Sequence, residues 1–429
     1  MKIAIIGGGI SGLTVARLLH KKHDITLYES ANRLGGHTAT EECVVDDKLH
    51  WVDTGFIVFN DRTYPNFNRL VEGLGVRWRP TNMSFSVSTR HADCQIVPSR
   101  SQKNQIFEYS GSGLNGLFAD RRNLLNPRFL GMLIDISRFG KRAKYDYDNQ
   151  VIRPGLSLKD YLDMGGYGET FQSAYILPMA SAIWSSPITQ IQEFNALFFI
   201  RFFINHGLLE TRDRPKWRTI AGGSKNYIGP LSEPFQSKIR LSSPVQVIWR
   251  ESGKVSVVCK QEKVEYEHVV LACHTDQALN LIQDVTIQEK EILRAIPFRD
   301  NHVVLHTDKR MMPVQRRAWA SWNYLLDGTE TKQPVLTYNM NLLQGIRSSQ
   351  PLCVTVNGSR HIDERQILAH YHYSHPQFGE ESVNAQQKLA KTNGTQNTWF
   401  CGAWCGNGFH EDGVVSAMNV SKALGANEL

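Results

Sequence analysis

A glycine cluster near the start of the chain constrains the fold more than any other feature of the sequence. Gly7, Gly9 and Gly12 follow a short apolar run at residues 2–6 and precede an apolar stretch at residues 13–19. This order predicts a strand, a tight turn and a helix, the opening of a βαβ unit that binds a dinucleotide. In such a unit Gly7 lets the chain turn sharply, Gly9 lets a pyrophosphate approach the backbone, and Gly12 lets the helix pack against the sheet.

An acidic residue at a suitable distance supports this interpretation. Glu29 lies 22 residues after Gly7, at the end of a second apolar run. There its carboxylate can accept from both ribose hydroxyls, and a charge-assisted hydrogen bond of this kind contributes about 1.5–3 kcal/mol. The unpaired amides at the helix start carry the positive end of the helix dipole and suit a diphosphate. Glycines that serve packing alone, or a signal peptide, would not explain the strand, helix and acid together.

A second glycine pair follows the acid. Arg33, Gly35, Gly36 and His37 come directly after the Glu29 region. An arginine and a glycine pair in this position resemble the flavin amine oxidase superfamily, whose members include monoamine and polyamine oxidases, protoporphyrinogen oxidase and phytoene desaturases. The resemblance implies an FAD cofactor, with Arg33 neutralising the diphosphate. The superfamily usually has arginine after the pair, whereas this chain has His37.

Two later segments extend the resemblance. In the superfamily the valine of a Pro-Val pair reads the adenine edge through its backbone, a role that maps onto Val245. Residues 398–404 read as the last strand of the FAD domain, and a helix over residues 414–424 follows. Its amino terminus at 413–415 would stabilise the negative charge that hydride arrival at flavin N5 leaves on N1 and O2. Asp412 also suits the N-cap of this helix.

The predicted cofactor-binding residues lie on these turns, strand ends and helix starts. They are Gly7, Gly9, Ile10, Ser11, Gly12, Glu29, Ser30, Arg33, Gly35, Gly36, His37, Thr38, Thr54, Gly55, Val245, Ala272, Gly402, Trp404, Asp412, Gly413 and Val414. The implied fold is α/β, a two-domain flavoprotein with a Rossmann-like FAD-binding domain of the GR2 type and a mixed α+β substrate domain. We expect a discontinuous FAD domain over residues 1–75, 215–290 and 385–429, and a substrate domain over residues 76–214 and 291–384.

Within the superfamily the chain resembles a bacterial group of FAD-dependent, amine-oxidase-like proteins. The segments that carry this resemblance are residues 52–60, 176–185, 318–324 and 408–413, and they span essentially the whole chain. Genes of this group often neighbour those of cyclopropane-fatty-acid synthases. The resemblance therefore implies modified acyl chains as substrates.

The composition argues against several other classes of protein. The chain has 429 residues and is 41% apolar, which is typical of a globular protein, and it has no run of 18 apolar residues that would predict a membrane span. Seven scattered cysteines, Cys94 among them, fit a reducing cytoplasm. The net charge of +7 is modest, and no nucleic-acid partner is expected. The spacing of histidine, cysteine and acidic residues predicts no metal site, and no GxSxG elbow indicates a hydrolase.

Three segments of the middle region admit more than one interpretation. Residues 121–144 hold seven lysines and arginines with apolar residues at helical spacing. This pattern fits a substrate-domain helix whose end matches the dipole, or a helix that contacts a membrane surface at the inner face of the membrane. Residues 194–209 are strongly apolar and predict a buried helix or a wall of a substrate tunnel. Residues 111–116 also spell GxGxxG, but no acid-ended strand follows, so we interpret them as a loop.

The catalytic candidates are titratable residues near the expected flavin. His410 and Glu411 stand before the flavin-facing helix and are the first candidates for acid–base work, and His306 is the second. Amine oxidases of the superfamily place a lysine near N5, at a position that falls here on Asn301 or His302. Neither residue is a lysine, and this difference from the amine oxidases disfavours amine oxidation with rapid use of oxygen.

The sequence leaves three hypotheses for function. The first is an FAD enzyme that transfers a hydride from a largely apolar substrate, such as an unsaturated or branched acyl chain, to flavin N5. The second is an amine or polyamine oxidase, for which the aromatic residues could form a cage. The third is a flavin-binding partner of a lipid-modifying enzyme without turnover of its own. The expected ligand besides FAD is a small molecule or a lipid.

Overall fold

The computed structural model describes residues 1–89, 107–210, 214–251, 253–326 and 333–426. Cys94, one of the seven cysteines of the sequence, lies outside the described residues. None of the helices in these ranges combines the length and apolar character that a membrane span needs.

The strands are short and spread over the described chain. They are β1 (Lys2–Ile6), β2 (Asp24–Tyr28), β3 (Thr40–Val45), β4 (Lys48–Asp53), β5 (Phe59–Asn60), β6 (Trp78–Pro80), β7 (Phe85–Thr89), β8 (Glu108–Ser110), β9 (Trp217–Ile220), β10 (Ile239–Arg240), β11 (Val245–Glu251), β12 (Lys254–Cys259), β13 (Glu262–Tyr266), β14 (His268–Leu271), β15 (Phe298–His306), β16 (Trp322–Leu326), β17 (Val335–Asn339), β18 (Cys353–Val356), β19 (Ile367–Pro376) and β20 (Thr398–Phe400).

The α-helices range from a single turn to about six turns. They are α1 (Ile10–Leu19), α2 (Pro65–Gly73), α3 (Leu114–Leu117), α4 (Pro127–Asp148), α5 (Leu158–Gly165), α6 (Glu169–Phe171), α7 (Leu177–Trp184), α8 (Ile188–Gln192), α9 (Ala196–Asn205), α10 (Ile228–Ser232), α11 (Thr275–Leu281), α12 (Ile287–Arg294), α13 (Met340–Leu343), α14 (Glu380–Thr392) and α15 (His410–Ala423).

A parallel sheet in the order β10-β2-β1-β14-β20 organises one half of the molecule. In β1 the four residues after Lys2 are all apolar and buried, as expected for a parallel strand covered on both faces. Because the strands are parallel, their carboxyl ends meet at one edge of the sheet. Gly7, Glu29 and Ala272 each follow a strand at that edge, which is where ligands bind in open α/β sheets.

A second sheet of seven strands, in the order β19-β15-β18-β17-β16-β7-β8, forms the other half together with α4 to α9. The strands are antiparallel except for the parallel pair β16 and β7. The helices bury an aromatic core against this sheet, to which α9 contributes Phe199 and Phe203. The prediction of a buried helix within residues 194–209 is confirmed, since most of α9 is buried.

The strand membership of the two large sheets follows the predicted division of the chain. The parallel sheet takes its strands from residues 1–75, 215–290 and 385–429, and the seven-stranded sheet takes its strands from the other two segments. A small sheet in the order β5-β9-β6 joins strands from both divisions. The domain boundaries themselves stay a prediction.

Candidate active site

The turn after β1 requires glycine at two positions. Gly7 has φ +111°, and a Cβ there would lie 2.6 Å from the carbonyl oxygen of Ala272. A Cβ at Gly12 would lie 1.9 Å from the carbonyl oxygen of Gly7, so only glycine lets α1 start this close to β1. A Cβ at Gly9, in contrast, would meet no atom within 4 Å. The backbone at Gly9 is therefore open to the close approach of a ligand.

The backbone around the end of β2 holds the Glu29 carboxylate. Its Oε2 accepts from the amide of Gly8 at 2.7 Å, and its Oε1 accepts from the amide of Ala31 at 2.8 Å and from the hydroxyl of Ser30 at 3.2 Å. A carboxylate has about four acceptor positions, so one or more remain for ribose hydroxyls. Glu29 is half-buried at the sheet edge, where a ligand can reach it.

The second glycine pair packs directly on the first. The amide of Gly35 donates to the carbonyl of Gly8 at 2.8 Å, and a Cβ at Gly36 would lie 3.3 Å from the Cα of Gly9. The Arg33 guanidinium donates to the carbonyl oxygens of Thr38 at 3.1 Å and Gly36 at 3.2 Å. Arg33 thus stabilises the turn that carries the pair, and its predicted contact with a diphosphate stays a prediction.

The helix at the carboxyl end starts one turn earlier than its sequence predicts. α15 begins at His410, and Phe409 occupies the N-cap, so the predicted start near Val414 and the N-cap role of Asp412 are wrong. Asp412 lies inside the first turn, where its Oδ2 accepts from the amide of Phe409 at 2.9 Å. The carboxylate satisfies an amide donor from within the helix, so the residues before it can already be helical. Burial raises the pKa of Asp412 to about 6.

The first turns of α1 and α15 touch each other. A Cβ at Gly413 would lie 2.9 Å from Ser11 Oγ and 3.0 Å from Ile10 Cγ2. Val414 next to it is fully buried in the core that α1 and α15 share. Two helix amino termini, each with unpaired amides and the positive end of a dipole, therefore meet beside the open backbone of Gly9.

His410 points into the core of the parallel-sheet half. Its Nε2 lies 3.0 Å from Thr38 Oγ1 and 3.1 Å from the hydroxyl of Tyr227, which also bonds to Thr38. Its ring stacks on Phe56 at a centroid distance of 3.6 Å. Burial lowers the pKa of His410 to about 3, so the imidazole is neutral at physiological pH. The structure gives His410 a supporting position, and its acid–base role stays a prediction.

Glu411 and His306 also have buried structural partners. Glu411 accepts from the amides of Asn66 at 3.0 Å and Phe67 at 2.9 Å, which satisfies the amino terminus of α2. His306 is fully buried in β15, where its Nε2 lies 2.7 Å from Thr355 Oγ1. Although adjacent in sequence, His410 and Glu411 therefore have different hydrogen-bond partners. The catalytic roles predicted for Glu411 and His306 likewise stay predictions.

His37 lies in a group of aromatic rings between the two large sheets. Its ring centroid is 5.5 Å from that of His375, 5.4 Å from Tyr373 and 5.9 Å from His274. Nε2 lies 3.1 Å from the carbonyl oxygen of Ser374 and must carry the proton to donate there. Loss of water around the ring, with the neighbouring histidines, lowers the pKa of His37 to about 3. A neutral His37 cannot replace the charge of the arginine that the superfamily usually has.

The remaining predicted cofactor-binding residues surround these elements. Thr54 Oγ1 lies 2.7 Å from the hydroxyl of Tyr373, and a Cβ at Gly55 would lie 2.1 Å from the carbonyl oxygen of His37. Val245 opens β11, two residues after Ser243, whose amide donates to the carbonyl of Glu29 at 2.8 Å. The Trp404 indole donates to the carbonyl of Cys273 at 3.1 Å, and the amide of Gly402 donates to Ser416. The structure therefore brings most of the predicted set to one sheet edge.

The position at which amine oxidases were expected to place a lysine is occupied by Asn301. This residue is fully buried, and its Nδ2 lies 2.9 Å from Nδ1 of His375, which in turn faces His37. His302 lies on the opposite face of β15, where its ring stacks on His370. Of the two residues that the sequence offered, Asn301 is thus the one on the side of the glycine motifs.

Three comparisons with known proteins agree on the fold. Residues 5–74 match a family model described as an NAD(P)-binding Rossmann-like domain. A bovine flavin-containing amine oxidase A is 22% identical over 280 residues, which cover 63% of this chain and 49% of that protein. A 15-cis-phytoene desaturase from Synechococcus elongatus is 32% identical over 95 residues, 21% of this chain and 19% of that protein. The matched regions thus span about half or less of these curated relatives.

Solved structures match over the entire described architecture. A cyclohexylamine oxidase from Brevibacterium oxydans superposes with a TM-score of 0.68 at 14% identity, over 99% of both chains. A fatty acid isomerase from P. acnes, described as producing CLA, superposes with a TM-score of 0.66 at 14% identity, over 99% of this chain and 98% of that one. The chain therefore shares the fold of these solved structures, and residues 5–74 match a Rossmann-like domain. The predicted two-domain α/β fold with a Rossmann-like domain is confirmed.

The residues at the sheet edge fit FAD, the cofactor that the sequence predicts. The open backbone at Gly9 and the joined amino termini of α1 and α15 suit a diphosphate, and the remaining acceptor positions of Glu29 suit a ribose. The first turn of α15 adds the positive end of its dipole beside that of α1. The matched Rossmann-like domain and the local geometry are therefore both consistent with a bound dinucleotide.

Sequence reasoning missed several residues that shape this site. Tyr227 and Phe56 hold His410, while Tyr373 and His375 line His37. Phe409 packs against both the core of the parallel-sheet half and the aromatic core of α4 to α9. Phe409 lies within the predicted 408–413 segment, so its position beside the flavin-facing helix was available as a signal. The other residues become neighbours only through long-range packing.

Proposed function

We propose that the chain is an FAD-dependent oxidoreductase that takes a hydride from a largely apolar substrate, with an acyl chain as the substrate class. One observation carries this proposal. The sheet edge that fits FAD adjoins, through the half-buried Phe409, the aromatic core of the helical half. A cofactor region that adjoins such a surface is suited to an apolar substrate.

The apolar surface is defined here as the aromatic wall, formed by Trp184, Phe198, Phe202, Phe378 and Phe409. Phe409 stacks on Phe202 at 5.4 Å, Phe202 lies 4.7 Å from Trp184, Trp184 lies 5.9 Å from Phe198, and Phe198 lies 6.2 Å from Phe378. These contacts form a continuous series of rings that starts at the N-cap of α15. A chain of methylene groups would gain free energy by leaving water along this series.

The aromatic wall also contains one polar group without a partner. Trp184 is 4% exposed, and its Nε1 makes no hydrogen bond within the described residues. A buried donor in this state costs free energy, which an acceptor on a ligand can recover. A carboxyl or carbonyl oxygen is the acceptor that an acyl substrate supplies. The pairing of one N–H donor with an aromatic surface supports an acyl compound over a simple hydrocarbon.

The neighbouring proteins and the Asn301 position bear on the substrate class. A fatty acid isomerase shares the fold, which supports an acyl substrate, and amine oxidases share it too. The fold therefore does not distinguish an acyl substrate from an amine, and the distinction depends on the residues at the site. The lysine expected in amine oxidases falls on Asn301 or His302, and Asn301 instead donates a hydrogen bond from its side-chain amide to His375, which disfavours an amine.

The chain's own residues would bind the cofactor, orient the substrate and exclude water from the site. Glu29 and the Gly9 backbone would hold the ADP half, and the amino terminus of α15 would face the flavin pyrimidine. When bound, FAD supplies a hydride acceptor at N5. Phe409 and the rest of the aromatic wall would exclude water and hold the reacting carbon near the ring face. A neutral His37 would itself add no positive charge to the site.

Anaerobic titration of the flavin-loaded protein tests this proposal. Purified protein is mixed without oxygen with unsaturated and branched fatty acids, with their phospholipids, and with a panel of mono- and polyamines. The proposal expects flavin absorbance to fall with an acyl compound and to stay constant with amines. Reduction by amines alone would assign the chain to amine oxidation, and reduction by no compound of either class would contradict turnover of an acyl substrate.

A further inference from the structure

Four large apolar side chains are exposed close to the outer edge of the seven-stranded sheet. Leu114 is 76% exposed, Leu124 is 50%, Leu125 is 89% and Val314 is 70%. Leu114 opens α3, Leu124 and Leu125 end a 3-10 helix at Arg121–Leu125, and Val314 lies in the loop before a 3-10 helix at Arg316–Ala318. Exposed leucines grouped in this way mark interaction surfaces.

Hydrogen bonds join these segments to Glu108, on the edge strand β8. The Glu108 carboxylate accepts from the amides of Val314 at 2.6 Å and Gln315 at 2.9 Å, and the carbonyl of Glu108 accepts from the side chain of Asn123 at 3.3 Å. Arg121 donates to Asn115 at 3.2 Å, which joins the 3-10 helix to α3. We call this fastened set, with Leu114, Leu124, Leu125 and Val314 at its tips, the β8-edge surface.

Arg121, Arg122 and Arg128 lie within or just after the 3-10 helix that carries Leu124 and Leu125. Residues 120–144 contain seven lysines and arginines and two aspartates. The aspartates are engaged locally, Asp120 with Arg122 at 2.7 Å and Asp135 with Arg138 at 2.5 Å. Along α4, Leu130 and Ile134 are also exposed and continue the apolar tips beyond the 3-10 helix. Arg142 and Lys144 are also paired, with Asp146 and Glu210, so the surface alternates apolar groups with a smaller net positive charge.

A cavity of about 510 Å³ opens on the same side, next to Val314. Its lining includes Lys309, Arg310, Arg316 and His361 together with Trp319. The guanidinium of Arg316 lies 5.6 Å from the ring centre of Trp319. Arg310 pairs with Asp308 at 2.7 Å and lies 3.8 Å from Asp363, so these two acids reduce the positive charge on one side. The other cationic groups leave a cavity that suits a phosphate ester.

We propose that the β8-edge surface docks peripherally on an anionic phospholipid bilayer. The four apolar tips would enter the boundary between headgroups and acyl chains, and the surrounding cations would contact lipid phosphates. The basic cavity beside Val314 would receive one headgroup. Cations interleaved with apolar tips match an anionic lipid surface, whereas the centre of a protein–protein interface is depleted of charged residues. Docking of this kind does not depend on which reaction the flavin site performs.

Co-sedimentation of the full chain with vesicles tests this proposal. Vesicles of phosphatidylcholine alone are compared with vesicles that also contain phosphatidylglycerol. The expected result is binding to the anionic vesicles only, with loss of binding at high salt because the phosphate contacts are screened. The double variant Leu124→Ser/Leu125→Ser should partition about tenfold less, and Arg121→Gln/Arg316→Gln should weaken binding and flatten its salt dependence.

Two matched variants separate docking from general surface effects. Ile287 is 80% exposed on α12, and Arg294 lies exposed in the last turn of the same helix. Ile287→Ser and Arg294→Gln should sediment with anionic vesicles like the unaltered protein. Circular dichroism checks that all variants are folded. Equal binding to both vesicle types, no binding to either, or equal losses in the α12 variants would each overturn the proposal. A change in oligomeric state of the leucine variant without vesicle binding would instead assign the surface to a protein partner.

Discussion

Glu29 is the single carboxylate that is expected to accept from the ribose hydroxyls of FAD. Two backbone amides and a hydroxyl hold it in place, so its remaining lone pairs are directed before any ligand arrives. We expect Glu29→Gln to keep the fold and to weaken FAD binding about tenfold or more, because the ribose loses a charge-assisted acceptor. Quenching of flavin fluorescence on titration of apoprotein measures the affinity.

The control for this variant is Glu265→Gln, on β13. Glu265 is paired with Lys254 at the surface, at 3.0 Å, and lies on a strand outside the parallel sheet. Its replacement should leave the FAD affinity unchanged. Equal affinities in Glu29→Gln and the unaltered protein would remove Glu29 from the cofactor site.

His410 links the stability of the molecule to pH. Its pKa is depressed to about 3 in the folded protein, below its ordinary value of 6.5, so the folded state binds fewer protons than the unfolded state. The contribution of neutral His410 to the free energy of unfolding is therefore complete above pH 6.5 and is lost as the pH falls toward 3. We expect the free energy of unfolding to fall between pH 6.5 and 4.5 by about 2 kcal/mol more in the unaltered protein than in His410→Asn.

Urea unfolding at a series of pH values measures this difference. Asp412 acts with the opposite sign, since its pKa is raised to about 6 and its contribution is lost as the pH rises from 3.8 through 6. The comparison between His410→Asn and the unaltered protein cancels the Asp412 contribution, because both chains contain it. Parallel pH dependences in the two proteins would show that His410 is solvated or charged in the folded state.

At the scale of elements, the contact between α1 and α15 fixes where two helix amino termini meet. Gly413→Ala would bring a Cβ to 2.9 Å from Ser11 Oγ and 3.0 Å from Ile10 Cγ2, so these side chains or α15 must move. We expect a loss of about 1–2 kcal/mol in the free energy of unfolding and weaker FAD binding. Gly131→Ala in α4 is the control, because a Cβ there meets no atom within 4 Å and alanine favours a helix. Urea unfolding and flavin titration of both variants decide, and equal effects would contradict tight packing at Gly413.

Phe409 joins the FAD-binding and helical elements. It packs on both cores, so Phe409→Ala should lower the free energy of unfolding by about 2 kcal/mol and should also weaken binding of an acyl ligand. Phe118→Ala, at another half-buried ring on the edge of the helical core, should affect stability alone. Calorimetric titration with a fatty acid separates the two variants. Equal ligand affinity in both would remove Phe409 from the substrate surface.

Across the whole molecule, the features that the sequence predicted well are local. The run from Lys2 to Glu29 contains its own strand, turn, helix and strand signals, so β1, α1 and β2 needed no distant contacts to be recognised. The strand order of the seven-stranded sheet could not be predicted, because it depends on distant pairings. For example, β7 pairs in parallel with β16, where Phe85 lies opposite Trp322. The start of α15 was misplaced because Asp412 caps from inside the first turn, a geometry that resembles an N-cap in sequence.

The candidate site shows the same division between local and distant information. Its glycines and Glu29 were predicted because each has a backbone or ligand role that fixes the residue type. Tyr373 and His375 come from β19, the far edge strand of the other sheet, and no local pattern connects them with His37. His410 was chosen as an acid–base group for its titration range, but a sequence does not reveal that Phe56 and Tyr227 enclose it.

The glycine turns, Glu29 and the start of α15 are expected to bind FAD together. The most direct measurement is the cofactor content of the purified, folded protein, together with calorimetric titration of the apoprotein with FAD, FMN and NADPH. The structure predicts one FAD per chain, with little affinity for FMN, which lacks the ADP half that Glu29 and Gly9 would hold. A folded protein that takes up no FAD, or that binds FMN as tightly, would show that these elements do not form an FAD site.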